Sequence, residues 1–140
     1  MKILLAILVS AMPLLTINAQ TENPKIYQVV EEMPRFPGCE HEPKDERPEC
    51  AQKEMLKFVY ENLRYPDEAK KSKTEGTVVI QFVINIDGSI SNTKIVKEIG
   101  DGCAKEVLRV VNEMPIWIPG KQRGAPVKVR YTLPVKFSLP

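Results

Sequence analysis

The second half of the chain, from Tyr65-Pro66 to Pro140, constrains the fold more than any other part. Thr77 to Ile86 alternates with a period of two, which is the signature of a strand. Val78, Ile80, Phe82, Ile84 and Ile86 fall on one face; Val79 and Val83 share the other with Thr77, Gln81 and Asn85. Asp87-Gly88 follows, a preferred dipeptide of a tight hairpin turn, and Ser89 to Lys97 returns as a second strand with Ile90, Ile95 and Val96 as its apolar positions. Gly100-Asp101-Gly102 breaks the chain. Asp101 is placed to cap a helix whose buried stripe is Ala104, Val107, Leu108, Val111 and Met114, and Pro115 ends it. After a turn at Trp117-Ile118-Pro119-Gly120-Lys121, Val127 to Phe137 alternates again. Val127, Val129, Tyr131, Leu133, Val135 and Phe137 point one way, and Lys128, Arg130, Thr132 and Lys136 the other. Pro134 has no N–H for a ladder, so this last strand is expected at an edge.

Upstream, Ala51, Met55, Val59 and Leu63 recur at helical spacing, with Leu56 and Phe58 widening the stripe. Pro48 suits the first turn of that helix, where its missing N–H costs nothing. Pro66 disfavours helical geometry at Tyr65 and stops the helix near Asn62; a short second helix restarts at Asp67 to Lys71. Ile26 to Glu31 reads as a short strand or extended segment. Met33-Pro34-Arg35-Phe36-Pro37-Gly38 excludes regular helix, and Phe36 is expected to dock on the core as a single anchor. The expected fold is α+β: a small antiparallel three-stranded sheet with two main helices packed on one face.

At 140 residues there is room for one domain and little more. The N-terminus carries Lys2 followed by an almost wholly apolar Ile3 to Leu15, the length of a signal h-region and short for a membrane span. We expect a signal peptide over 1–19, cleaved after Ala19, an extended lead-in over 20–32 and the folded domain over 33–140; an uncleaved segment would instead anchor the chain to the inner membrane. Export permits disulfides. Of the three cysteines, Cys39 and Cys50 flank a polar loop and are the favoured pair, while pairing of either with Cys103 stays open.

Chemistry is sparse. A formal net charge of +2, with basic clusters such as Lys70-Lys71 broken by acids or turns, gives no field for nucleic acid. His41, the only histidine, stands with Cys39 and Cys50 but without the paired spacing of a zinc site, and no metal is expected. Cys103 beside Gly102 at a helix start is the one candidate nucleophile, because a helix N-terminus lowers a thiol pKa; that makes a thiol enzyme the rival reading. Asp87-Gly88 lacks the repeated acids of a calcium loop. Gly120 to Gly124 leads into a strand, so it is no phosphate loop. Trp117 reads as a core anchor.

Taken in order, several motifs resemble the C-terminal domain of the energy transducer TonB. They are Tyr65-Pro66-Asp67-Glu68-Ala69, Glu75 to Phe82, Asp87-Gly88, Trp117 with Pro119-Gly120-Lys121, and the closing strand. The likeness is nearest to the form found in Bacteroidetes-type bacteria, whose Pro-Gly lead-in Met33 to Gly38 resembles. It implies a periplasmic, non-enzymatic domain without cofactor, which binds the N-terminal box of a TonB-dependent outer-membrane receptor as an added strand. Carried onto this chain, the docking edge is the last strand, with Val127, Lys128, Val129, Arg130, Tyr131, Thr132 and Leu133 as contacts and Tyr65 and Pro66 nearby. Strand addition takes affinity from main-chain hydrogen bonds and specificity from alternate side chains, and the basic outward row would favour an acidic residue in the box.

Two departures stand out. A full transducer has an inner-membrane helix and a long Pro-rich spacer, whereas here a signal-like segment leads almost directly into the domain; the Cys39–Cys50 loop is the second. The expectation is therefore for fold and binding mode, with a stand-alone adaptor or a homodimer through the same edge as the alternative. A proline introduced at Val129 or Tyr131 is expected to block capture and spare the monomer.

Overall fold

In chain order the computed structural model, which describes residues 10–14 and 24–140, contains β1 (Ile26–Tyr27), α1 (Arg47–Asn62), α2 (Asp67–Lys71), β2 (Gly76–Ile84), β3 (Ile90–Lys97), α3 (Cys103–Asn112), β4 (Gly120–Gln122) and β5 (Ala125–Phe137). The expected cleavage point after Ala19 and most of the expected leader lie outside the described residues. No helix among the described residues is long and apolar enough to cross a membrane.

Alternation in β2 buries Val78, Ile80, Phe82 and Ile84 completely. Ile86 does not join them; it lies past the strand end, in the hairpin, and is 56% exposed. Val83, on the opposite face, is buried as well. Among the described residues the sheet has five strands, not three, and is mixed: the order is β1-β5-β2-β3, with β4 also on β5 and β1 running parallel to it. Strands of two and three residues are too short to display a period, which is why β1's pairing and β4 escape a pattern reading. The β4–β5 turn is signalled by Arg123-Gly124, both with positive φ (51° and 77°) as a two-residue hairpin requires.

On α1, Ala51, Met55 and Val59 are buried, and Pro48 sits in the first turn. Phe36 docks against Phe58 and Trp117. The buried stripe of α3 is Cys103, Ala104, Val107, Val110 and Val111, with Leu108 and Met114 only partly buried. Its cap differs from expectation. Gly102, at φ 82°, takes the N-cap position, and the Asp101 carboxylate instead accepts the Thr74 hydroxyl. Glu98 covers the helix start, accepting from the N–H of Gly100 at 2.9 Å and of Ala104 at 3.3 Å.

An ion pair ties α3 to the end of α1. Glu106 accepts from Arg109 at 2.6 Å and from the Arg64 N–H at 3.0 Å, while Arg109 also donates to the Asn62 carbonyl at 2.8 Å. The Arg109 hydrogen bond holds the Glu106 carboxyl below its ordinary value. A carboxylate depressed in the folded state contributes stability above its unfolded pKa and loses it as pH falls through the folded value. Thermal melts should therefore decline on acidification below about pH 4.5, the ordinary glutamate value, and Glu106→Gln should flatten that part of the curve.

Cys39 and Cys50 are joined, with Cα atoms 6.0 Å apart and Cys103 free and buried. Closing a loop of 11 residues' separation removes about 3 kcal/mol of unfolded-chain entropy. Urea unfolding with and without reductant should show a loss of that order, and the double Cys39→Ser, Cys50→Ser variant should reproduce it.

Candidate functional site

The place of β5 in the sheet decides which of its groups are free. It runs beside β2 in unbroken antiparallel register, from Gly76 opposite Phe137 to Ile84 opposite Val129. Val127 is paired with Gly120 of β4, and Lys128 and Val129 are flanked by β1. Beyond Val129, no strand covers the other flank of β5 among the described residues. The edge expected over Val127–Phe137 is thus shorter: β4 continues the flank that β2 occupies, β1 alone covers the outer flank at Lys128 and Val129, and that flank is open past Arg130.

The direction of each N–H follows from one contact. Lys136 turns its N–H away from β2 and donates it to the Tyr60 hydroxyl at 3.1 Å. N–H direction alternates along a strand, so Thr132 and Arg130 turn theirs outward too, and Pro134 has none to turn. The pairing of Tyr27 with Val129 closes the Arg130 end. Thr132 is left as the outward donor without a strand partner. By the same alternation, Val129, Tyr131 and Leu133 present their N–H groups to β2. A proline at Val129 or Tyr131 would therefore break rungs inside the sheet and would not spare the monomer.

Side chains divide by face. Val129 and Leu133 are buried under the helices, with Tyr131 partly so; Arg130, Thr132, Pro134 and Lys136 are exposed on the other face. Gln81 donates to the Thr132 hydroxyl at 3.3 Å. Tyr65 and Pro66 are not part of this cluster. Tyr65 stacks edge-on against Phe137 at 5.4 Å and donates its hydroxyl to the Thr74 carbonyl, while Pro66 faces Gly102. Both sit at the far end of β5, about 13 Å along the strand from Leu133 at 3.3 Å per residue.

A second feature adjoins the open flank: a groove of about 800 Å³ between the 31–36 segment, the first half of α1 and β5. Phe36, Ala51, Met55, Trp117 and Tyr131 form its apolar wall, and Arg35, Lys44 and Asp45 its rim. Glu32 pairs with Lys121, and Arg35 with Ile118, by main-chain bonds that hold the segment in place. Burial pushes the Tyr131 phenol up. Pattern reading of 33–38 finds the anchor Phe36 but not the groove, because the wall is assembled from four separated stretches.

The rival chemistry fares differently. Cys103 is fully buried, and its thiol is pushed up by burial, then by the charges of Glu98 and Asp101. That is the reverse of an activated nucleophile. His41 is exposed on the disulfide loop beside Glu42. Among the described residues, no cluster of three metal-ligating side chains occurs.

Residues 61–139 match the family described as Gram-negative bacterial TonB protein C-terminal. No curated protein matches the chain. Solved structures that match include two NMR solution structures of the Helicobacter pylori TonB-CTD. One is 25% identical, covering 62% of this chain and 91% of that one, with a TM-score of 0.48. The other is 24% identical, covering 64% and 80%, with a TM-score of 0.48.

Proposed function

The chain belongs to the TonB C-terminal domain family, and from that membership we propose that it captures the N-terminal box of a TonB-dependent outer-membrane receptor as an extra strand on the open flank of β5. The family is one of periplasmic binding domains, not enzymes, whose members work with such receptors in energy-coupled transport. The observation that carries the docking mode is the outward Thr132 donor on a flank with no strand beyond Val129 among the described residues. Arg130, Tyr131, Thr132 and Leu133 form the contact stretch. Val127, Lys128 and Val129 extend it only where a longer peptide takes the place of β1. The exposed row of Arg130 and Lys136, with Lys128 beside it, favours an acid in the box, each such pair contributing about 0–1 kcal/mol. Tyr65 supports the distal end of the strand through Phe137, while Pro66 lies against Gly102.

The lead-in from Met33 to Gly38 favours the Bacteroidetes-type form of the family. We read the N-terminal segment as an export leader cleaved after Ala19, which the intact mass of the exported protein checks. A homodimer formed by pairing two β5 flanks is the alternative occupant of the same edge, and sedimentation of the free domain separates the two.

Titration calorimetry with a synthetic receptor-box peptide tests the docking mode. Saturable binding is expected for the plain peptide and none for a copy N-methylated at alternate amides, because strand addition rests on main-chain hydrogen bonds. Equal binding by the two peptides would refute strand addition.

A further inference from the structure

We propose that the groove beside β5 is a side-chain pocket of the docking flank, and that it selects peptides with a large apolar residue opposite Tyr131; the proposal rests on the strand-addition reading above. In a sheet, directly opposed residues send their side chains to the same face. Tyr131 faces the helices and lines the groove. A peptide residue paired with Tyr131 therefore enters the groove, while residues opposite Arg130 and Thr132 meet the exposed face. The two sides of the added strand are read by different chemistry, apolar on one and basic on the other.

The groove's own surface points to an occupant. Its wall of Phe36, Ala51, Met55 and Trp117 is apolar and borders about 800 Å³ of solvent-open space, room for a large side chain. Trp117 is 2% exposed and lines the groove beside Tyr131. An extended peptide on the open flank of β5 supplies an apolar side chain to this wall at the position opposite Tyr131. Burial of a leucine-sized side chain is worth on the order of a tenfold or larger gain in affinity.

Trp117 is the only tryptophan, so its indole resonance is a single reporter in a nitrogen-15 NMR spectrum. The probes are two capped threonine heptapeptides that differ only in a central leucine or alanine. Both are expected to shift the Thr132 amide; the leucine peptide should bind at least about tenfold tighter and alone should move the indole signal. Gln52→Phe, an exposed α1 position on the groove, should erase the leucine preference with the fold intact. Equal affinity with a stationary indole, while Thr132 shifts, would overturn the pocket and leave strand addition standing. A moving indole with a silent Thr132 would overturn it too, since the groove would then act apart from the flank. No shift at Thr132 or the indole with either peptide would remove strand addition and the pocket together.

Discussion

Thr132→Pro is expected to weaken capture of a receptor-box peptide by about ten- to a hundredfold while leaving the domain folded. The substitution removes the outward N–H and leaves a peptide carbonyl without its donor, which costs about 1–3 kcal/mol; each 1.4 kcal/mol is a factor of about ten. The fold tolerates it for the reason it tolerates Pro134, two residues on: both stand where the N–H faces away from β2. Val129→Pro is the contrasting variant. It removes a rung to β2 at a fully buried position and should lose the fold together with binding. Calorimetry paired with circular dichroism reads both effects. A Thr132→Pro variant that folds and binds at full strength would remove the outward donor from the account.

Trp117→Ala is expected to cost about 3–5 kcal/mol, the range for deleting a buried aromatic side chain. That is a large part of the 5–15 kcal/mol typical of a domain. The indole joins three elements, with its centroid 5.7 Å from Phe36, 5.9 Å from Phe82 and 5.2 Å from Tyr131. Its backbone N–H donates to the Gly88 carbonyl at 3.0 Å, so the Asp87-Gly88 hairpin is held against it. Gly88 has no room for a side chain there: a Cβ would lie 2.0 Å from the Trp117 carbonyl oxygen. Trp117→Phe should cost less than half as much, because the indole N–H has no hydrogen bond to lose. Urea denaturation of both variants decides this; equal losses would mean that the indole N–H is satisfied in solution.

Regular elements were legible in the sequence because burial alternates in long strands and recurs along helices. Val78, Ile80, Phe82 and Ile84 announce β2, and Ala51, Met55 and Val59 announce α1. Pro134 marked a strand with an uncovered side, and Cys39 and Cys50 marked their loop. What pattern could not reach was pairing over long separations by short segments. Ile26 and Tyr27 lie against Lys128 and Val129, and two residues carry no period. The same holds for the candidate site. The alternation of Val127 to Phe137 told which side chains face the helices, but not which N–H groups face β2. That depends on register, and a Tyr60–Lys136 hydrogen bond reveals it. The α3 start misled because Asp101, a good capping residue, is engaged by Thr74 while Glu98 reaches over from upstream.

Amide hydrogen exchange on the domain, with and without a bound receptor-box peptide, tests the docking flank most directly. Protection gained at Thr132, with the β3 amides from Ser91 to Lys97 unchanged, is the predicted result. Protection gained along β3 with Thr132 still exchanging freely would place the partner on the opposite edge of the sheet and contradict the account.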